Sequence, residues 1–126
     1  MTTELARTLS MSFGAVYPLV APLIGSLGAF VSGSHTVSNV MFYGLQLETA
    51  ELLGLPAVLV LIGQTSGASV GNMVAIHNAV SISATTGAKG GEGRMIAAAA
   101  LPFILCSLAI SAALFVYLAI GYAWAA

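Results

Sequence analysis

Two histidines, each next to a cluster of hydroxyl and amide side chains, are the residues of this chain best suited to proton chemistry. His35 stands in the sequence GSHT and His77 in the sequence IHN, and both are flanked by apolar stretches. The imidazole group ordinarily titrates near neutral pH, so a histidine within a membrane segment is suited to carrying a proton. The alternative is a neutral histidine that is hydrogen-bonded within a helix bundle. No Asp, Glu or Cys lies near either histidine at ligand spacing, so we expect no metal site.

A second polar insert, GQTSGASVGN at residues 63–72, is rich in amides and hydroxyls. Its glycines Gly63, Gly67 and Gly71 are spaced by four, which in an unbroken helix lines one face and favours close helix packing. The competing interpretation is an unwound segment whose polar groups face a solute. We favour the unwound segment, because so many polar side chains are poorly satisfied on an apolar packing surface.

The remaining reactive residues indicate no enzyme. Glu48 and Glu51 share a helical face, but they separate two apolar stretches, which favours a solvated turn over a proton relay. Cys106 stands alone in an apolar run and is expected to be packing. The Gly-rich segment 87–94 lacks the phosphate-binding pattern and is expected to be a loop. We therefore predict no catalytic residues, no cofactor and no metal.

The placement of the charges indicates which solvent surrounds the elements that carry these residues. Of 126 residues 59% are hydrophobic and 6% are charged, and the net charge is −1. The charged residues fall at 4–7, 48–51 and 89–94, leaving residues 8–47, 52–88 and 95–126 without Asp, Glu, Lys or Arg. An ionised side chain at the centre of a bilayer costs at least about 2.5–3.5 kcal/mol, so charge is confined to the interfaces. The sequence therefore predicts an all-α integral membrane protein whose partner is the lipid bilayer, and the lack of a basic patch argues against nucleic acid.

The three charge-free stretches differ in design. Residues 95–126 predict a final spanning helix, with Tyr122 and Trp124 at an interface. Residues 1–51 predict a helix plus a short half-helix, and residues 52–88 a broken helix or hairpin, because short apolar flanks surround each polar insert. Whether either stretch crosses the membrane or returns as a re-entrant hairpin stays open. Lys89 and Arg94 place their loop weakly in the cytoplasm.

The string at residues 28–42, GAFVSGSHTVSNVMF, followed by Gln46, resembles a signature of the L-lactate permease family. The resemblance continues with GNMVAIHN at residues 71–78, a short Gly-Glu-Gly loop and a last apolar helix. It covers the chain from about residue 10 onward. The resemblance implies a multi-pass protein of the cell membrane that imports lactate, glycolate or a related 2-hydroxy monocarboxylate together with a proton. Because members of that family are several times longer, it also implies that this chain is a C-terminal portion working with a remaining N-terminal part, from the same or a split gene.

Under this hypothesis the polar inserts at residues 32–39 and 64–72 form part of one central site for a small hydroxy acid. Half-helix N-termini attract the carboxylate, and hydroxyl and amide groups bind the solute. The candidate substrate-binding residues are Ser34, Thr36, Ser38, Asn39, Gln64, Thr65, Ser66, Asn72 and Asn78. The candidate proton carriers are His35 and His77. The alternative function is a small structural or accessory membrane subunit that packs through the face of Gly63, Gly67 and Gly71.

Overall fold

The computed structural model describes residues 2–87 and 90–125, with side chains described as far as Gly121. This part of the chain contains helices and no strand. The α-helices are α1 (Thr2–Phe13), α2 (Tyr17–Ser32), α3 (His35–Leu53), α4 (Ala57–Gly71), α5 (Ile76–Thr86) and α6 (Glu92–Ala125). Two short 3-10 turns, Gly14–Val16 and Asn72–Val74, join α1 to α2 and follow α4. Lys89, which was expected to orient its loop, lies outside the described residues. The rings of Tyr122 and Trp124, which were expected at a membrane interface, lie outside the described side chains.

Three helical stretches of the described chain are long and apolar enough to cross a membrane. They are Thr2–Ser32, Ala57–Thr86 and Glu92–Gly121, and the last has a mean hydropathy of 2.5. The prediction of an all-α, multi-pass membrane protein with interrupted helices is confirmed. The second of these stretches contains all of α4, the 3-10 turn and all of α5, so its helix is broken in its interior.

Helices α2 and α4 pack backbone to backbone in a parallel pair. A Cβ atom on Gly67 would overlap the Pro22 carbonyl, and one on Gly71 would overlap the Ser26 backbone. The Ser26 hydroxyl donates to the Gly67 carbonyl over 2.9 Å, and a Cβ on Gly25 would in turn overlap the backbone of α4. Small residues permit this approach, as is typical of helix pairs in membranes.

The expectation that residues 63–72 are unwound is wrong, because α4 is helical through Gly71. Two of its hydroxyls are satisfied within the helix, since Thr65 donates to the Leu61 carbonyl over 2.9 Å and Ser69 donates to the Thr65 carbonyl over 3.0 Å. A serine or threonine can bond back in this way without a solute. The packing interpretation of the glycines is the correct one. Because Gly67 and Gly71 already face α2, the alternative of an accessory subunit that docks through this face loses its docking surface.

Helix α3 returns along α2 as the second arm of a hairpin. The Ser38 hydroxyl donates to the Gly25 carbonyl over 2.8 Å, and farther along α3 the Gln46 amide donates to the Ala21 carbonyl over 3.3 Å. Since the position on α2 falls as the position on α3 rises, the two arms are antiparallel. We call α2, α3 and the residues that join them the α2–α3 hairpin, and residues 32–35 its tip.

Helix α6 runs antiparallel to α2 and covers α2 and α4. The Ser111 hydroxyl donates to the Leu19 carbonyl over 3.4 Å. Leu114 and Leu118 pack on Leu59 of α4, and Leu114 also lies against the face of Gly63. At the start of α6 the Glu92 carboxylate accepts a hydrogen bond from the Ser83 hydroxyl of α5 over 2.5 Å. These contacts hold the hairpin and α4 in one bundle, which positions the polar groups described next.

Candidate functional site

The tip of the α2–α3 hairpin reverses the chain through a glycine and a serine. Gly33 has φ +69°, a conformation that favours glycine, and its N–H donates to the Ala29 carbonyl over 2.8 Å. Ser34 is extended, and its side chain accepts from the Val37 N–H over 3.3 Å as the N-cap of α3. The Ser32 hydroxyl donates to the Gly28 carbonyl over 2.8 Å. The polar residues of GSHT therefore end one helix and begin the next.

The helix is interrupted between α4 and α5 at residues 72–75, at the end of the polar segment 63–72 rather than within it. After Asn72–Val74 the chain extends at Ala75, with φ −63° and ψ 127°, and α5 then begins at Ile76. The Asn78 amide donates to the Asn72 carbonyl over 2.9 Å and to the Asn72 side-chain oxygen over 3.1 Å. Asn72 and Asn78, both predicted solute ligands, thus bond to each other across the break.

The structure brings the hairpin tip and the α4–α5 break into contact. A Cβ atom built on Gly33 would lie 2.8 Å from the Cβ atom of His77, so the backbone of the tip touches the second residue of α5. The parallel packing of α2 and α4 causes this meeting, because it places the ends of the two helices at the same level. The two polar inserts, distant in sequence, meet where the C-terminal end of α2 touches the N-terminal end of α5.

The helix ends at this junction differ in how their polar groups are satisfied. The carbonyls that end α2 and α4 accept bonds from the Gly33 N–H, the Ser32 hydroxyl and the Asn78 amide. The N-terminus of α5 has no side-chain cap, since its N-cap residue is Ala75. The first N–H groups of a helix lack partners within that helix and carry a partial positive charge. The N-terminus of α5 can therefore donate hydrogen bonds to an anion at this junction.

Both predicted proton carriers lie at this junction, and both side chains are exposed. His35 begins α3, and its Nε2 atom lies 3.4 Å from the hydroxyl of Thr36, which is also exposed. His77 is the second residue of α5. Neither imidazole is enclosed by the described chain, so each remains accessible to a proton donor.

Asn39, on α3 one turn beyond the tip, has a side-chain oxygen that is buried and accepts no hydrogen bond within the described chain. A buried acceptor without a partner costs about 1–3 kcal/mol relative to a satisfied one. Such an atom is unusual in a packed helix bundle, and its residue lies on α3 one turn beyond the hairpin tip.

Two other predicted ligands, Ser38 and Gln64, are fully occupied by the protein itself. The Gln64 amide nitrogen donates to the Ser38 hydroxyl over 3.2 Å, and the Gln64 amide oxygen accepts from the Gln46 amide over 2.8 Å. The Gln46 oxygen in turn accepts from the Tyr17 hydroxyl over 2.6 Å. Tyr17, Gln46, Gln64 and Ser38 all have 0% of their surface exposed. We call this set the buried amide chain; its members are hydrogen-bonded to one another.

Thr65 and Ser66, also predicted ligands, lie away from the junction. They precede Asn72 on α4 by about two turns, or roughly 9–10 Å along a helix axis. With Tyr43 and three aliphatic residues they line a groove of about 380 Å³ on the outer face of α3 and α4. The hydroxyls of Thr65 and Tyr43 are hydrogen-bonded to each other over 2.5 Å.

Sequence reasoning missed Tyr17 and Gln46 as members of a polar network. A signal for Gln46 exists, because Ser38 and Gln46 are eight residues apart and so fall on one face of α3. Tyr17 gives no such signal, since it is an aromatic residue at the start of an apolar run. Among the described residues no group of three or more His, Cys, Asp or Glu side chains is placed to hold a metal ion.

Comparison with known proteins connects this geometry to a family. The sequence model described as L-lactate permease matches residues 1–120. A putative L-lactate permease of Haemophilus influenzae is 37% identical over 105 residues, which cover 83% of this chain and 20% of that protein. Glycolate permease GlcA of Escherichia coli is 35% identical over 75% of this chain and 17% of its own length. An L-lactate permease of Bacillus subtilis is 34% identical over 73% of this chain and 16% of its own length.

The chain thus spans about a fifth of the length of the curated relatives that it matches. No solved structure matches it.

Proposed function

This chain belongs to the L-lactate permease family, and we propose that it forms part of a transporter that moves lactate, glycolate or a related 2-hydroxy monocarboxylate across the cell membrane with a proton. The observation that carries the proposal is the contact between Gly33 of the hairpin tip and His77 of α5. It places the end of α2, just before the N-terminus of α3, against the N-terminus of α5 within the interrupted stretch Ala57–Thr86, which is apolar enough to span a membrane. Interrupted helices whose half-helix N-termini point at the solute are typical of transporter binding sites.

In this proposal the solute carboxylate binds at the N-terminus of α5 and the start of α3. Ala75 provides no side-chain cap to α5, and so the N–H groups of Ile76 and His77 are available to a negatively charged ligand, whereas the N–H of Asn78 donates to the Ala75 carbonyl over 3.1 Å. Ser34 and Thr36 add hydroxyls at the tip. The N-terminal helix dipole supplies the positive potential in this proposal, since residues 8–88 contain no Lys or Arg.

The solute hydroxyl donates its hydrogen to the side-chain oxygen of Asn39, which requires the groups that cover this oxygen in the described chain to move when the solute binds. This oxygen is the buried acceptor without a partner that lies one turn beyond the tip. Gln64, which we considered for this role from the sequence, supports it less well because its oxygen already accepts from Gln46. Asn78 holds the α4–α5 break through Asn72 and acts indirectly.

Proton symport neutralises the charge of the transported anion. Moving one elementary charge against the membrane potential costs about 2.3 kcal/mol per 100 mV, and a co-transported proton removes that cost. His35 and His77 flank the junction with exposed imidazoles, which makes them the carriers that we propose.

The rest of the transporter closes the site. The relatives are about five times longer than the matched segment, which covers 20% of the first of them. His35, Thr36 and His77 are exposed in the described chain, which leaves an open side for further helices to cover. We infer that the remaining, N-terminal part of the transporter contributes the other half of the solute pathway.

The test is lactate uptake into proteoliposomes that contain the complete transporter, with and without an imposed pH gradient. We expect saturable uptake that a pH gradient, acid outside, accelerates, and competition by glycolate. Empty liposomes and the complete transporter without this chain are the controls. Uptake that equals that of empty liposomes under both conditions contradicts the proposed function, and uptake without any response to pH contradicts the proton coupling.

A further inference from the structure

The buried amide chain has a single direction through three helices. The Tyr17 hydroxyl donates to the Gln46 oxygen, the Gln46 nitrogen donates to the Gln64 oxygen, and the Gln64 nitrogen donates to the Ser38 hydroxyl. Ser38 ends the series by donating to the Gly25 carbonyl over 2.8 Å. Each oxygen accepts and each N–H or O–H group donates, so reversing either amide would set two donors or two acceptors against each other.

The location of this chain relates it to the hairpin tip. Ser38 lies one turn after the start of α3, and Gly25 lies two turns before the end of α2. Gln64 on α4 thus binds the α3 arm directly and the α2 arm through Ser38. Gly25 also packs directly on the backbone of α4, so α2 and α4 are in close contact beside the buried amide chain.

We propose that Gln46 and Gln64 are positioning residues that fix the height of the α2–α3 hairpin against α4, and thereby hold its tip against the N-terminus of α5. This inference rests on the proposed function, in which that junction binds the solute. Neither amide touches the solute, since both side chains have 0% of their surface exposed and face only protein groups. A buried, fully satisfied polar network specifies one arrangement of the surrounding helices, because any shift leaves donors or acceptors unpaired in a medium of low dielectric constant.

A substitution that removes one amide leaves its neighbour unsatisfied. Methionine matches glutamine in length and cannot donate a hydrogen bond, so Gln64→Met leaves the Gln46 nitrogen without its amide acceptor, and Gln46→Met leaves the Gln64 oxygen without its donor. The double variant Gln46→Met/Gln64→Met removes both members of the pair. Leaving one buried amide without its partner costs more free energy than removing both amides. The double variant is therefore expected to have a smaller effect on lactate uptake than the product of the two single effects.

The experiment measures half-saturation concentration and maximal rate of lactate uptake by the complete transporter in proteoliposomes, per mole of transporter. Each single variant is expected to raise the half-saturation concentration about tenfold while the maximal rate stays within about twofold, and the double variant to raise it by much less than the product. The preference for lactate over propionate, which lacks the hydroxyl, is expected to stay unchanged. Ser69→Ala, which removes an exposed hydroxyl on the same helix, is the matched control.

Three outcomes overturn the inference. A lower preference for lactate over propionate in Gln64→Met would make Gln64 a solute ligand. A fall in the amount of inserted transporter with unchanged half-saturation would make the amide chain a requirement for stability alone. An increase of the half-saturation concentration in the double variant that equals the product of the two single increases would show that the two amides are not coupled. Absence of lactate uptake by the unsubstituted transporter contradicts the proposed function instead, and so the two failures are distinguishable.

Discussion

The backbone of Gly33 lies directly against the side chain of His77, so that a Cβ atom at Gly33 would come within 2.8 Å of the His77 Cβ. One residue ends the first arm of a helical hairpin, and the other begins the second half of an interrupted helix. The contact exists because α2 and α4 are parallel and packed without intervening side chains. The solute site that we propose depends on it.

Substituting Gly33 by alanine is expected to displace the hairpin tip. Gly33 has φ +69°, where a residue with a Cβ costs roughly 1–2 kcal/mol, and the added methyl also meets His77. We expect a lower thermal unfolding temperature in detergent and a raised half-saturation concentration for lactate uptake. Gly44→Ala, in the middle of α3 with open space around it, is the control and is expected to stabilise the helix by about 0.5–1 kcal/mol. Equal unfolding temperatures and equal half-saturation concentrations in the two variants would show that the tip does not need glycine.

Substituting Gly67 by alanine is expected to separate α2 from α4. A Cβ there overlaps the Pro22 carbonyl, which is backbone and cannot rotate away. The expected cost is about 1–3 kcal/mol or more, as for overpacked cores. Thermal unfolding of the detergent-solubilised transporter measures it, with Gly93→Ala as the control because nothing lies within 4 Å of that position. An unchanged unfolding temperature in Gly67→Ala contradicts the close packing of these helices.

Replacing Asn39 by leucine is expected to reduce discrimination between lactate and propionate. Leucine has a similar shape and cannot accept a hydrogen bond, so the solute hydroxyl loses the acceptor that we assign to it. The ratio of lactate to propionate uptake efficiency is expected to fall about tenfold, mainly through weaker lactate uptake. Val40→Leu, on the adjoining and largely exposed position of α3, is the control. A ratio that Asn39→Leu leaves unchanged refutes the role of Asn39.

Replacing the proton-carrying histidine by glutamine is expected to uncouple uptake from the pH gradient. Glutamine stays polar but cannot take up a proton near neutral pH. A gradient of one pH unit is worth about 1.4 kcal/mol, so a coupled transporter accumulates lactate up to about tenfold. His77→Gln or His35→Gln is expected to lose that accumulation while lactate still equilibrates down its own gradient. Full accumulation by both variants would place the carrier elsewhere in the transporter.

Amino-acid composition and the position of each charge were sufficient to predict the class of fold. Because burying an ionised group in lipid is costly wherever the rest of the chain lies, the charge-free stretches indicate membrane segments without knowledge of any contact. The resemblance of residues 28–42 and 71–78 to the L-lactate permease family is likewise local in the sequence, and the family assignment is confirmed.

The roles of individual polar residues depended on tertiary contacts. Gln64 looks like a ligand in the sequence, but the structure pairs it with Gln46 and Ser38 on α3. Gly63–Gly71 looks unwound in isolation, but the surface of α2 holds it helical and moves the break to Ala75. Whether a hydroxyl or amide faces a solute or another helix depends on which partner comes within 3 Å of it. The sequence around that group does not contain this information, because the partner lies on another helix.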